Sequence, residues 1–138
     1  DPIVIFGATN IKKLDISNFV PYMTEIQFTK AYSETLGSTI EELIMSGTNN
    51  NEGVMAISGL EGMTALKKLD ITGVKSINSL SLYNSYNLKE LYAEDTSIST
   101  VDLAPGCLIE TLKLPSTIEN LVLKELPLLK PENLYLTS

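Results

Sequence analysis

Carboxylates are the side chains of this chain best suited to general acid–base catalysis, because histidine is absent from the sequence. A pair of carboxylates can hydrolyse a glycosidic bond. Glu41 and Glu42 are adjacent, however, so their side chains would point to opposite faces or splay at a corner, and Glu94, Asp95 and Asp102 have the setting of turn and surface residues. We therefore expect no enzyme, and a glycosidase is only a distant alternative.

Metal-binding chemistry is equally poorly supplied. A zinc site needs several thiolate or imidazole ligands, whereas the chain has one cysteine, Cys107, and no histidine. No D-x-[DN]-x-[DN]-G loop for calcium is present. Cys107 follows Pro105 and Gly106, which predicts an inert thiol at a corner of the chain. We expect no metal and no cofactor.

A cluster of tyrosine and asparagine residues could bind a sugar. Tyr83, Asn84, Tyr86 and Asn87 follow one another closely and lie just before Tyr92. Tyrosine rings can stack on a sugar while asparagine amides form hydrogen bonds with it, so the segment is a candidate glycan site. The alternative is structural: the rings cover the edge of the core and the asparagines form turns.

The element that positions these residues is a repeated apolar pattern, with apolar residues at relative positions 1, 4 and 6. Its last part alternates as in a short strand. A first series of matches starts at residues 11, 40, 66, 88, 109 and 131, with steps of 29, 26, 22, 21 and 22 by subtraction. A second series starts at residues 23, 57, 77, 98 and 118, about halfway between the first. The match at Ile57 and Leu60 is weak, because Gly59 and Gly62 dilute it.

Two interleaved series with a period near 22 residues predict a β-dominated leucine-rich-repeat solenoid of about five coils, with two short extended segments per coil. One domain would span residues 1–138. Two long steps leave room for at most one short helix near residues 29–36, ended by Gly37, and for a polar loop from Asn49 to Gly53.

Three segments carry a family resemblance: LKKLDITGVKSINSL, NLKELYAEDTSISTVDL and LPSTIENLVL. They resemble leucine-rich repeats of the BspA type, which occur in bacterial surface proteins and in structural proteins of some bacteriophages. The resemblance implies recognition or scaffolding, located on a virion or on the extracellular cell surface. At the ninth position, where the common consensus has asparagine, the chain has Thr48, Val74 and Thr96, and threonine there predicts a hydrogen-bonding step.

Stacked coils would align their outward side chains into columns about 4.8 Å apart. The third positions give a ladder of alternating charge, Lys13, Glu42, Lys68 and Glu90, which we interpret mainly as a solvated face. The fifth positions give the candidate binding face: Asp15, Ile44, Asp70, Tyr92, Lys113 and Tyr135. Exposed tyrosine and isoleucine are better contact residues than lysine or glutamate.

Apolar residues near both ends predict further contacts, because a terminal shelf of aliphatic side chains must be covered. The candidate end-to-end or subunit contacts are Ile3, Ile5, Phe6, Leu128, Leu129, Leu134 and Leu136. We expect a protein partner or further repeats to cover at least one end, as part of a longer chain or a larger assembly.

Charge and composition narrow the choice of partners. The net charge of −7 and the absence of a basic run argue against nucleic acid, and no apolar run is long enough to span a membrane. The sequence thus predicts a non-catalytic protein-binding or assembly module, structural or adhesive, with a carbohydrate-binding module that takes a surface glycan as the alternative.

Overall fold

The chain folds as a strand-dominated parallel solenoid. The computed structural model describes residues 3–4, 11–17, 25–28, 30–31, 34–35, 39–47, 56–121, 123 and 125–137. Its strands, in chain order, are β1 (Ile3–Val4), β2 (Lys13–Asp15), β3 (Glu25–Gln27), β4 (Lys30–Ala31), β5 (Glu34–Thr35), β6 (Glu42–Ile44), β7 (Ala56–Ser58), β8 (Lys68–Asp70), β9 (Ser79–Leu82), β10 (Glu90–Tyr92), β11 (Thr100–Leu103), β12 (Thr111–Pro115), β13 (Asn120–Leu121) and β14 (Leu134–Thr137). Two 3₁₀ turns, Leu60–Gly62 and Pro131–Asn133, complete the regular structure that we describe.

One side of the solenoid is a single parallel sheet, which we call the continuous face. Its spatial order is β2, β6, β8, β10, β12, β14, so each coil adds one strand beside the strand of the coil before. Four turns lead from β6 to β14, and one further step precedes them from β2 to β6. The register aligns one leucine from every strand: Leu14, Leu43, Leu69, Leu91, Leu112 and Leu134. The predicted first series of the repeat is confirmed.

The opposite side, which we call the divided face, consists of two separate parallel sheets. Strands β1, β3 and β7 form one sheet, and β9, β11 and β13 form the other. Consecutive coils pair on this side except between β7 and β9, where the described residues form no ladder. The division falls at the match that Gly59 and Gly62 weaken in the sequence.

The core lies between the two faces and is built from stacked aliphatic side chains. Leu43, Leu69, Leu91 and Leu112 are fully buried in adjoining layers. Burial of one leucine side chain contributes roughly 1.5–3 kcal/mol, so stacking of the coils supplies the main stabilising term. Burial falls off in the last coil, where Leu134 is half-buried and Leu136 is exposed.

Polar side chains at the corners bind each coil to the one before it. Ser85 is buried, and its Oγ donates a hydrogen bond to the carbonyl oxygen of Met63 at 3.0 Å. Thr117 Oγ1 donates to the carbonyl oxygen of Ile98 at 2.7 Å. These bonds add side-chain donors to backbone carbonyls at the corners, where the carbonyl of Met63 also accepts from the backbone N of Leu66 at 3.3 Å.

At the ninth positions of the repeat, the described residues form no such hydrogen bond to a neighbouring coil. Thr96 Oγ1 does donate a hydrogen bond, at 2.8 Å, but to the carbonyl oxygen of Ala93 in its own coil. Val74 is buried in the core, and Thr48 lies outside the described residues. The predicted hydrogen-bonding step therefore forms at Thr96, within one coil.

Two glycines allow close approach between coils. Gly59 has φ of 89°, and a Cβ there would lie 1.7 Å from the carbonyl oxygen of Phe28. Gly73 has φ of 81°, and a Cβ there would lie 2.3 Å from the carbonyl oxygen of Gly47. Both positions combine a left-handed backbone with contact against a neighbouring coil, so only glycine fits without a shift of the backbone.

The segment with room for a helix near residues 29–36 has strands instead. Its described residues form β4 and β5, which pair antiparallel with Lys30 opposite Thr35. Gly37 lies outside the described residues, as does the loop from Asn49 to Gly53. Across the part of the chain that the structure describes, no helix has the length and apolar character needed to cross a bilayer.

Candidate binding surface

The fifth-position residues form one column across the continuous face, as the repeat predicts. The strand register places side by side Asp15, Ile44, Asp70, Tyr92, Lys113 and Tyr135. Their side chains point outward because side chains alternate along a strand and the leucine that precedes each of them points inward. The column is graded in exposure: Asp15 and Tyr135 are exposed, and the members between them are half-buried.

Tyr92 lies at the centre of the aromatic half of this column. Its hydroxyl donates a hydrogen bond to Oε1 of Glu90 at 2.5 Å. This bond, together with partial burial and the negative charges of Glu90 and Asp70, raises the pKa of Tyr92 to about 12. The phenol is therefore neutral at physiological pH, and its ring is held in one orientation.

Lys113 lies between two tyrosine rings. Its Nζ is 5.5 Å from the ring centroid of Tyr92 and 5.0 Å from that of Tyr135. Lys68 approaches Tyr92 from the other side, with Nζ at 5.7 Å from the ring centroid. Each distance is within the range of a cation–π interaction, so strands β8 to β14 present an ordered stack of alternating cations and rings.

The other half of the column has its polar atoms occupied locally. Asp15 Oδ1 accepts hydrogen bonds from the backbone N and the Oγ of Ser17, at 3.1 and 2.7 Å, and these bonds lower the pKa of Asp15. Asp70 Oδ1 accepts a hydrogen bond from the backbone N of Thr72 at 3.0 Å. Both aspartates stabilise the bend that follows their own strand, which leaves the aromatic half as the better contact surface.

The predicted charge ladder is aligned, but the ion pairs form in the column beside it. The register places in one row Lys13, Glu42, Lys68 and Glu90. The ion pairs that we describe on this face instead join Glu41 to Lys67 at 2.8 Å and to Lys12 at 3.9 Å. The hydrogen bond from Lys67 lowers the pKa of Glu41, so this carboxylate stays ionised, the opposite of what a general acid requires.

The candidate glycan corner combines asparagines that hold the fold together with tyrosines that are exposed. Asn84 Nδ2 donates to the carbonyl oxygen of Glu61 at 2.9 Å, and Asn87 Nδ2 donates to that of Thr64 at 3.3 Å, so both amides hold the preceding coil. Tyr83 and Tyr86 are 47% and 54% exposed. The accessible part of the corner therefore consists of the two rings and of Asn87, which is also exposed.

A crevice that sequence reasoning missed opens at the division between β7 and β9. It has a volume of about 290 Å³, and its lining includes Glu61, Ser76, Asn78, Ser79 and Ser81. The signal that could have located it is the weak match at residues 57–62, which marks the coil where regular pairing fails. The serines alone carry no such signal, since serine is common in turns.

The end of the solenoid at β14 exposes apolar surface. Leu128 and Leu136 are 42% and 58% exposed, while Leu129 and Leu134 pack partly against the core. A cavity of about 290 Å³ lies there, lined by Leu123, Leu126, Leu129, Lys130, Pro131 and Leu134. At the other end Ile3 belongs to β1, and Ile5 and Phe6 lie outside the described residues.

The remaining candidates for chemistry are dispersed. Asp95 pairs with Lys75 at 3.4 Å in a turn, and Asp102 is an exposed outward residue of β11. Cys107 is fully buried, and burial raises the pKa of its thiol. Among the described residues no group of three or more histidine, cysteine, aspartate or glutamate side chains could hold a metal ion.

Comparison with models of protein families, with curated protein sequences and with solved structures finds no match to this chain.

Proposed function

We propose that the chain is a non-catalytic protein-binding or assembly module that contacts its partner through Tyr92, Lys113 and Tyr135. The observation that carries the proposal is the position of Lys113 Nζ between the two tyrosine rings. Aromatic side chains are enriched in interface centres, where they supply large contact areas at low conformational cost. A cation held between two rings adds a fixed charge to that area.

Order in the free protein supports this choice of surface. The hydrogen bond from Tyr92 to Glu90 and the two cation–π contacts of Lys113 restrain three neighbouring side chains before any partner arrives. Binding loses less free energy when the contact residues are already ordered. The strands beneath them are paired in register, so the surface is also fixed in its backbone.

The test uses peptides selected from a random display library against the whole chain. We expect selected peptides to bind at least about tenfold more weakly to a Tyr92→Ala/Tyr135→Ala double variant, as for typical interface hot spots. Tyr83→Ala is the matched control, because Tyr83 is a tyrosine outside the column with an exposure close to that of Tyr135. Circular dichroism would check that all three proteins are folded.

Two outcomes of this selection would contradict the proposal. One is a set of peptides that bind the double variant as tightly as the original chain. The other is a selection that yields only peptides sensitive to Tyr83→Ala. Tyr92→Phe separates the ring from its hydroxyl: it retains the ring beside Lys113, so binding should survive in that variant.

The resemblance to BspA-type repeats extends the proposal to location. A structural or adhesive component on a virion or a bacterial surface would use the continuous face for contact. Antibodies raised against the folded chain should label intact source cells, or the particles that they release, without permeabilisation. Labelling confined to permeabilised cells would contradict this location.

The apolar end supports the assembly half of the proposal. Leu128 and Leu136 are large, exposed and close to a leucine-lined cavity, and such surface favours association. We expect further coils, another domain or a subunit to cover it. Light scattering on the 138-residue chain should therefore reveal self-association, and a stable, monodisperse monomer would count against this part.

A further inference from the structure

We propose that the crevice between β7 and β9 is a binding site for a neutral oligosaccharide, with one sugar ring seated in the crevice and the next against Tyr83. The site lies on the divided face, opposite the proposed protein-binding column. It is independent of Tyr92, Lys113 and Tyr135, and the two proposals can fail separately.

The site begins with an interruption of strand pairing. The strands β6 and β8 pair in register on the continuous face, whereas β7 and β9 of the same two coils do not pair on the divided face. After β7 the chain bends inward at Gly59, which has φ of 89°, and the following 3₁₀ turn buries Leu60. An opening of about 290 Å³ lies between the two strands.

The chemistry of the lining suits a sugar. Polar groups come from Ser76, Ser79, Ser81, Asn78 and Glu61, which together provide hydroxyl, amide and carboxylate hydrogen-bonding groups. Apolar groups come from Ile57, Leu60 and Ile77, against which the C–H groups of a sugar ring can pack. Polar groups predominate in this lining and the apolar floor is smaller, as suits a ligand rich in hydroxyl groups, and the volume is just below the range usual for small-molecule sites.

The hydroxyl of Ser76 is an independent observation that points to a ligand. Its Oγ is buried and has no hydrogen-bond partner among the described residues, which is costly for a buried hydroxyl. Ser76 also lines the crevice. Rotation about χ1 between staggered positions would offer the same oxygen to a ligand hydroxyl.

The surface around the crevice continues the same chemistry in one column, while the next column places the exposed Asp102 beside Ser81. Outward positions on the divided face align Ser79, Thr100 and Asn120 in one neutral, polar column. Tyr83, which is 47% exposed, follows Ser81 by two residues. Asn84 is bonded to the carbonyl oxygen of Glu61, so the turn that carries Tyr83 is fixed against the crevice wall.

The same features argue against other ligand classes. The Glu61 carboxylate and the net charge of −7 oppose an anionic ligand. Glu61 is the only carboxylate in the described lining, and a hard cation requires several oxygen ligands. A neutral ligand rich in hydroxyl groups is compatible with both constraints.

The experiment begins with the whole chain on an array that carries neutral and acidic oligosaccharides. The neutral glycan with the highest signal is then titrated by calorimetry. We expect Glu61→Gln and Ser79→Ala/Ser81→Ala to weaken binding at least about tenfold, because hydrogen bonds to a charged group and to desolvated hydroxyls are lost. Ser76→Ala should weaken binding without lowering the thermal stability of the free protein.

Matched controls lie outside the crevice. Glu110→Gln and Ser116→Ala change exposed residues of the same types elsewhere on the solenoid, and the Tyr92→Ala/Tyr135→Ala variant changes only the continuous face. All three should bind the glycan as the original chain does.

Several outcomes would overturn the proposal. These are an array without signal on neutral glycans, binding confined to acidic glycans, and affinity unchanged in both the Glu61→Gln and the Ser79→Ala/Ser81→Ala variants. Selected peptides whose binding depends on Ser79 and Ser81 would assign the crevice to a protein partner and would also overturn it.

Discussion

The two faces of this solenoid are built from the same repeat, yet one is continuous and the other is divided. On the continuous face every coil contributes a paired strand, and the outward residues form ladders of lysine, glutamate and tyrosine. On the divided face one missing ladder coincides with a crevice whose walls are polar and include the Glu61 carboxylate. Regular pairing therefore gives columns of aligned side chains, and its interruption gives a crevice between two coils.

The largest effect should distinguish the cores beneath the two faces. Leu91→Ala removes a fully buried side chain between Leu69 and Leu112 and should lower the free energy of unfolding by about 2–5 kcal/mol. Ile57→Ala, at the partly buried crevice wall, should cost clearly less. Urea denaturation of both variants measures the difference, and equal losses would mean that the divided face is packed as tightly as the continuous one.

A matched pair of serines sharpens the comparison. Ser85→Ala removes a buried hydrogen bond to Met63 and should cost about 1 kcal/mol of unfolding free energy. Ser76→Ala removes a buried hydroxyl without a described partner and should leave stability unchanged or slightly higher. Thermal denaturation of the two variants tests this, and a loss at Ser76 as large as that at Ser85 would reveal a partner for its hydroxyl.

A smaller loss of stability is expected when Lys113, the cation between the two tyrosine rings, is replaced. Lys113→Gln removes two cation–π contacts at a half-exposed site and should lower stability by about 0.5–1 kcal/mol. Lys130→Gln is a control, because Lys130 is exposed beside the cavity at the β14 end. Denaturation of both variants at low and at high salt measures the loss of stability. An equal loss in Lys130→Gln would mean that the effect does not come from the cation–π contacts of Lys113.

The smallest effect at neutral pH concerns Tyr92. Its folded-state pKa, about 12, lies above the ordinary tyrosine value of 10.0, so the neutral phenol contributes stability that is fully present below pH 10 and is lost as the pH rises through 12. Alkaline titration followed by tyrosinate absorbance should show one tyrosine ionising late. In Tyr92→Phe that late phase should disappear, and its persistence would mean that another tyrosine produces it.

The sequence was most informative where local periodicity determines which way a side chain points. Apolar residues at positions 1, 4 and 6 located the strands of the continuous face, and alternation placed Tyr92, Lys113 and Tyr135 in one outward column. It was least informative between residues 29 and 36. There, short segments have weak intrinsic preferences that tertiary contacts override, and β4 and β5 pair instead of forming a helical turn.

The crevice shows a different limit. The dilution of the repeat by Gly59 and Gly62 was visible in the sequence, but the opening depends on the separation of two coils, which no local pattern encodes. The orientation of the amides of Asn84 and Asn87 was likewise hidden, because asparagine serves equally well as a turn residue and as a donor to the preceding coil.

The strict separation of inward and outward side chains on the continuous face has a consequence for the evolution of this protein. Because Tyr92, Lys113 and Tyr135 take no part in the buried leucine layers, mutations can change the outward residues of a coil and leave its core unchanged. Duplication of one coil of about 22 residues would lengthen the column by one residue. A solenoid of this kind can thus acquire a surface for a new binding partner by duplication of coils and substitution of outward residues, without a change of scaffold.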